Sequence, residues 1–238
     1  MLAGPTRAMV LAAGLGTRMR PLTLHTPKPL LRIAGRSLLD RALDRLAAAG
    51  VGQVAVNGHW LAPRIEAACR ARAHPRLVYL HEPQLLDTGG GIANALAAGA
   101  IGPGPFFAIN GDSLWFDGAE PALHRLARAF DPRAMDALLL LLPVDRAIGY
   151  QGRGDFLLDE SGRLSWPGEG EGTRLVFLGV QLLHPRLLEP FGQGCFGMRP
   201  VWQAAIEAGR AFGLCHDGRW FHLSTPADLA VAEDSVRS

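Results

Sequence analysis

The sequence predicts an α/β fold: a Rossmann-like, mostly parallel mixed sheet flanked by helices, with an α+β extension in the last part of the chain. Three observations predict it. Short apolar runs alternate with helical periodicity from residue 8 to residue 142, the pattern of strand-helix units with helices on both faces of a parallel sheet. Two runs, residues 8–13 (AMVLAA) and 137–142 (ALLLLL), are continuously apolar, as strands buried on both faces are. After Pro143 the alternation gives way to short strands and turn signals.

Each element has a local reason. Residues 8–13 form a buried strand that runs into the turn Gly14-Leu15-Gly16. Ser37 caps a helix through residue 49, with Leu38, Leu39, Ala42, Leu43 and Leu46 on one face and Gly50 as its stop. A strand at 53–57, a helix at 60–72 and a strand at 77–81 follow. A short helix at 91–98, a strand at 105–110, a helix at 120–130 and a strand at 136–142 complete the first half. In the second half, residues 152–158 and 159–164 read as a hairpin, and 175–183 as a long apolar strand. A helix at 200–208, short strands at 212–216 and 220–223, and a helix at 226–236 close the chain. The segment 167–173 (PGEGEGT) reads as a mobile loop. The expected organisation is one domain over 1–238, with a strand-helix half at 1–142 and a substrate or lid half at 143–238.

Composition removes several function classes. A chain of 238 residues with 48% hydrophobic and 19% charged residues buries a substantial core and is not disordered. The net charge is +2 and the arginines are dispersed, so neither nucleic acid nor a membrane surface is expected as partner. No apolar run exceeds six residues, far short of the roughly 20 a membrane span needs. The opening MLAGPTRAMVLAAG has no basic segment before its apolar run, so no signal peptide is expected. Cys69, Cys195 and Cys215 are scattered without a CxxC pair, which argues against a disulfide framework or a zinc site. These points lead to the expectation of a cytoplasmic protein. Of the 24 basic residues 23 are Arg and one, Lys28, is Lys. Where only a solvated positive charge is needed this chain uses Arg, so the lone lysine marks a position with a stricter requirement.

Four segments carry chemistry. In Leu11-Ala12-Ala13-Gly14-Leu15-Gly16-Thr17-Arg18-Met19, glycines after a strand let backbone N–H groups approach an anion, and Arg18 neutralises charge. It is neither GxGxxG, because Met19 fills the third glycine position, nor a Walker A loop. A plain strand-to-helix turn is the alternative. In Thr26-Pro27-Lys28-Pro29-Leu30 two prolines hold the lysine stiffly, and a compact ammonium suits a phosphate. In Leu86-Asp87-Thr88-Gly89-Gly90-Gly91-Ile92 the glycines remove bulk where a flat base could lie against backbone; a simple helix N-terminus is the alternative. In Asn110-Gly111-Asp112 a carboxylate at the end of a central strand is a natural Mg²⁺ ligand beside a bound phosphate, although such a triplet alone is most often a turn.

Together, LAAGLGTRMRPLT followed by TPKPL resembles the sugar-1-phosphate nucleotidyltransferase family, whose signature is an AAGxGxRxxPxT loop and a PKP loop at this spacing. The resemblance covers nearly the whole chain, with Gly179-Val180-Gln181 and Thr225-Pro226 also fitting. It implies the nucleotide-diphospho-sugar transferase fold. It also implies transfer of a nucleotidyl group from UTP to a sugar 1-phosphate, with Mg²⁺ as cofactor. The TGGGI wording is close to members that act on N-acetylmuramic acid 1-phosphate in cell-wall recycling. By this resemblance Leu11, Ala12, Ala13, Gly14, Gly16, Thr17, Thr88, Gly89, Gly90 and Asn110 bind the nucleotide. Arg18, Lys28 and Asp112 would be catalytic, Asp112 would hold the metal, and Gly179 would contact the sugar phosphate. Two departures stand out. His222 takes the place of a second acidic metal ligand; imidazole is a poor partner for hard Mg²⁺ and better tolerates Mn²⁺. No lysine exists in the second half for the sugar phosphate, and Arg174 is the expected substitute. The first departure leaves room for a rival, a nucleotide- or sugar-phosphate-binding sensor with weakened catalysis. The same chemistry on another nucleoside triphosphate or hexose 1-phosphate is a second rival. Monomer and homo-oligomer are equally compatible with the sequence.

Overall fold

The computed structural model describes residues 4–168 and 172–237; the centre of the loop expected at 167–173 lies outside these residues. In chain order the elements are β1 (Arg7–Leu11), the hairpin β2 (Arg32–Ile33) and β3 (Arg36–Ser37), α1 (Leu38–Ala48), β4 (Gln53–Gly58), α2 (Ala62–Arg70) and β5 (Arg76–His81). Then come α3 (Asp87–Ala97), β6 (Phe106–Asn110), β7 (Leu114–Phe116), α4 (Ala122–Ala129) and β8 (Ala137–Pro143). The second half adds β9 (Leu157–Leu158), β10 (Leu164–Ser165), β11 (Leu175–Leu183), α5 (Met198–Glu207), β12 (Ala211–Cys215), β13 (Arg219–Phe221) and α6 (Pro226–Arg237).

Seven strands form the central sheet in the order β12-β8-β11-β6-β1-β4-β5. Only β11 runs against the others: it pairs antiparallel with β6 and β8, whereas β1/β4, β1/β6, β4/β5 and β12/β8 are parallel. Strands β11 and β12 of the second half thus join the strands of the first in one sheet. The continuous apolar runs are explained by burial on both faces. Ala8 and Val10 of β1, and Leu138, Leu140 and Leu142 of β8, pack with Leu39, Leu43 and Leu46 of α1 and Leu123 and Leu126 of α4. Met9, Leu139 and Leu141 point the other way, into a core with Ile92 of α3 and Val201 of α5. Each fully buried Leu contributes about 1.5–3 kcal/mol. A third, smaller cluster holds α6 through Ile33, Leu114, Phe221 and Ala232.

Ser37 does cap α1, its hydroxyl accepting from the Asp40 N–H at 3.0 Å, a contact worth about 1 kcal/mol. The expected hairpin shrinks to the two-residue strands β9 and β10, with Asp159 Oδ1 accepting from Ser161 and Arg163 N–H across the turn. Helix α3 starts at Asp87, a full turn before the expected Gly91, so the glycines lie inside its first turns. Sequence patterning alone did not reveal the β2/β3 hairpin or the pairing of β7 with β13. These strands are two or three residues long, too short to carry periodicity.

Candidate active site

The site lies at the carboxyl ends of β1 and β6, where Leu11 and Asn110 are register partners. The Gly111 N–H donates to the Leu11 carbonyl at 2.8 Å, and a Cβ on Gly111 would stand 2.8 Å from that oxygen. Glycine at 111 is therefore set by this close approach. The loop after β1 is fixed from below. The Ala12 N–H donates to Asn57 Oδ1 at 2.6 Å, Asn57 Nδ2 donates to Glu82 Oε1 at 2.7 Å, and Glu82 Oε2 accepts the Leu86 N–H at 3.2 Å. Asn57 and Glu82 are almost fully buried, so each polar group needs these partners. Gly16 has φ +61°, and its carbonyl accepts from the buried Thr23 hydroxyl at 2.7 Å. Met19 fills the third glycine position because its side chain anchors the loop in the core. Gly14 faces open space.

Over this loop opens a cavity of about 420 Å³. Leu11, Ala12, Ala13, Gly14, Gly16, Thr17 and Arg18 line it, as do Lys28, Thr88, Asn110 and Asp112. A second cavity of about 280 Å³ adjoins it, walled by Tyr150, Asp155, Gly179 and His222. Arg18, Lys28, Asn110 and Asp112 line both cavities. Lys28 sits in a single tight turn, residues Lys28–Leu30, and its Nζ lies 2.5 Å from Asp112 Oδ2. Arg18 is exposed and makes no hydrogen bond or ion pair among the described residues, so its charge is available to a ligand.

The second cavity is shaped by a break in β11. Its register against β8 shifts between Phe177 and Gln181. Gly179 takes φ +75° there, and a Cβ would fall 2.1 Å from Ser113 Oγ. Ser113 in turn donates to the Leu178 carbonyl at 2.9 Å. His222 is half-buried, its ring edge-on to Tyr150 at 5.4 Å between centroids and 5.6 Å from Trp220. Burial, then the charges of Lys28 and Arg18, push its pKa below the usual histidine value, so the imidazole is neutral at neutral pH. Among the described residues no group of three His, Cys, Asp or Glu side chains could hold a metal ion by itself. Asp112 fits the narrower role of one carboxylate beside substrate phosphates, the usual Mg²⁺ arrangement.

Three expected site residues are placed elsewhere. Arg174 does not reach the crevice: its Nη2 donates to the Gly168 carbonyl at 2.8 Å and clamps the adjoining loop. Gly89 and Gly90 do not line the cavity in this conformation. A Cβ on Gly89 would meet the Phe196 ring at 2.5 Å, and one on Gly90 would meet the Gly194 carbonyl at 2.0 Å. Their smallness serves the packing of α3 on the 194–197 segment, which Gly90 N–H seals by donating to the Phe196 carbonyl at 2.9 Å. Sequence reasoning missed Asn57, Glu82, Tyr150 and Asp155. Asn57 lies on β4 near its carboxyl end and Glu82 directly follows β5, the same strand-end placement that drew attention to Asp112, so a signal existed. Cys69 is buried, and burial followed by Glu66 pushes its thiol up to about 11, which makes it inert.

Residues 8–147 match the MobA-like NTP transferase domain. The chain is 41% identical to the N-acetylmuramate alpha-1-phosphate uridylyltransferase of Caulobacter vibrioides, covering 98% of both chains. It is 36% identical to the protein of that name from Neisseria meningitidis, covering 95% of this chain and 96% of the relative. The solved structure of HddC from Yersinia pseudotuberculosis complexed with GMP-PN superposes with a TM-score of 0.77 at 21% identity, over 97% of this chain and 99% of the other. That likeness assigns the nucleotide-diphospho-sugar transferase fold. With the matched domain spanning the glycine loop, Lys28 and Asp112, the chain belongs to the MobA-like NTP transferase family and is a nucleotidyltransferase.

Proposed function

We propose that the protein joins UTP to N-acetylmuramic acid 1-phosphate, giving the UDP-sugar and pyrophosphate, in the recycling of peptidoglycan. The observation that carries this reading is the pair of adjoining cavities that share Arg18, Lys28, Asn110 and Asp112. Two anionic substrates, one in each cavity, meet at the same cations. The nature of the sugar rests on the relatives of that name.

In the proposed reaction an oxygen of the sugar 1-phosphate attacks the α-phosphorus of UTP in line. The bond from that phosphorus to the oxygen bridging the β-phosphate breaks, and pyrophosphate leaves with the electron pair. A phosphate dianion is already a nucleophile, so no general base is required. The protein's task is positioning and charge screening. The backbone of residues 12–17 faces the triphosphate, held by Asn57 and Thr23. Lys28 and Arg18 reduce the repulsion between the phosphates, which at about 4 Å and an effective dielectric of about 20 is roughly 4 kcal/mol per charge pair. Asn110 and Gly179 shape the sugar side. Asp112 would hold Mg²⁺, which supplies further charge stabilisation on the phosphate oxygens when bound. His222, neutral and among aromatic rings, is better suited to hydrogen-bond a phosphate or a water than to ligate Mg²⁺.

The test is pyrophosphate release from a panel of four nucleoside triphosphates against several sugar 1-phosphates, with Mg²⁺ and with Mn²⁺. UTP with the muramic sugar should give the highest kcat/KM. A clear preference for another pair would refute the substrate assignment while leaving the chemistry in place.

A further inference from the structure

A third cavity, of about 340 Å³, opens beside the sugar side and shares Asp155 and Phe177 with the second. Its walls are largely aromatic. Trp166 stacks on Phe156 at 5.0 Å, Phe156 meets Trp202 edge-on at 5.5 Å, and Trp202 meets Phe177 at 5.1 Å. Both indole N–H groups are tied down: Trp166 donates to Gln203 Oε1, and Trp202 to Gln181 Oε1 at 2.9 Å. Four of the chain's 17 aromatic residues gather in this one wall. Over it lies Arg199, with its guanidinium carbon 4.3 Å from the Trp166 ring centre.

Arg199 has no carboxylate partner among the described residues. That sets it apart from Arg72, Arg125, Arg128, Arg186 and Arg210, each of which is paired with Asp or Glu. This cation–π contact leaves the guanidinium N–H donors without a protein partner among the described residues, and a free guanidinium can receive a carboxylate in two parallel hydrogen bonds. Apart from Asp112, which is paired with Lys28, the charges along the crevice alternate. Arg18 and Lys28 stand at the phosphate end, Asp155 at the junction of the second and third cavities, and Arg199 in the third. A ligand matching this order carries an anion at one end, hydrogen-bond donors in the middle and a second anion attached to an apolar stem.

We infer that this cavity is the subsite for the carboxylate-bearing ether substituent of the sugar, and that Arg199 is the residue selecting an acidic sugar over a neutral one. The inference rests on the proposed reaction, since N-acetylmuramic acid is a hexosamine carrying a lactyl ether: a carboxylate and a methyl group on one short stem. The carboxylate pairs with Arg199, the methyl lies on Phe177, and Asp155, whose Oδ2 accepts the Phe177 N–H at 2.9 Å, faces the donors of the ring with its other oxygen. No residue of the phosphate-transfer centre is involved, so the effect is on substrate selection.

The test compares N-acetylmuramic acid 1-phosphate with N-acetylglucosamine 1-phosphate, which lacks only the lactyl group, in wild type and in Arg199→Met and Arg199→Lys. Arg199 is exposed, and thermal melting checks that the variants fold. In Arg199→Met the ratio of kcat/KM values for the two sugars should fall at least tenfold, through KM for the lactyl sugar with its kcat held within threefold. Arg199→Lys, which keeps the charge but not the planar fork, should restore part of the ratio. An unchanged ratio in Arg199→Met, or equal losses for both sugars, overturns the inference and leaves the proposed reaction standing. A wild type that does not turn over the lactyl sugar overturns both.

Discussion

Removing Lys28 should separate catalysis from folding. Its Nζ lies 2.5 Å from Asp112 Oδ2, and the side chains are 13% and 38% exposed. A partly solvated pair of this kind contributes about 0–1 kcal/mol to stability, so Lys28→Ala should move the melting temperature by no more than about 2–4 °C. During transfer the same charge faces two phosphates. One unit charge acting on another at about 4 Å, at an effective dielectric of about 20, is worth roughly 4 kcal/mol. Losing two-thirds of a single such interaction, about 2.7 kcal/mol, already slows the reaction about a hundredfold. Turnover in Lys28→Ala, followed by pyrophosphate release at saturating substrates, should therefore fall by two orders of magnitude or more. Lys28→Arg should also lose much of the activity. The position is held in a tight turn between Pro27 and Pro29, with its Cβ within 3.4 Å of where a Gly16 Cβ would stand, and the bulkier fork does not fit that frame. Full turnover in Lys28→Ala would refute the reasoning, and so would a loss of activity explained by unfolding.

Other substitutions probe the remaining parts. Asp112→Asn should abolish the response of turnover to added Mg²⁺, read as rate against metal concentration; an unchanged response would remove Asp112 as the metal anchor. Asn57→Ala strips the Ala12 N–H of its acceptor and the buried Glu82 of a donor. Chemical denaturation should show a loss of about 1–3 kcal/mol, with a raised KM for the nucleotide because the glycine loop loses its support. His216 is fully buried, with Nε2 on the Phe116 carbonyl at 3.0 Å, and burial above all lowers its pKa from 6.5. Below about pH 6.5 the unfolded chain takes up a proton that the folded one resists, so stability is full above that pH and falls as pH drops toward the folded value. Unfolding at pH 5 and pH 7 should show this difference, and it should shrink in His216→Phe.

The parallel strands and the helices packed on them were legible because burial on two faces and on one face leaves different spacings in the sequence. That the glycine loop, Lys28 and Asp112 come together around one cavity was legible from their residue types: glycines after a strand, a lone lysine between prolines and a carboxylate after a central strand. Legibility stopped where packing alone decides. Gly89 and Gly90 look like a ligand surface in the sequence, yet their size is set by Phe196 and Gly194, more than 100 residues away. Arg174 was one arginine of the second half that could stand in for the absent lysine, yet its guanidinium is bonded to the Gly168 carbonyl and does not line the crevice. Arg199 carries no local pattern at all. Its position over Trp166 is created by the meeting of α5 with the turn after β10.

In the proposed reaction two phosphate-bearing substrates meet across the shared residues Arg18, Lys28 and Asp112. The most direct measurement is product identification by mass spectrometry after incubating the wild-type protein with UTP, N-acetylmuramic acid 1-phosphate and Mg²⁺. The UDP-sugar and pyrophosphate should appear in equal amounts, with neither formed when the sugar phosphate is left out. Tight nucleotide binding with no pyrophosphate, or release of UDP and inorganic phosphate instead, would contradict it.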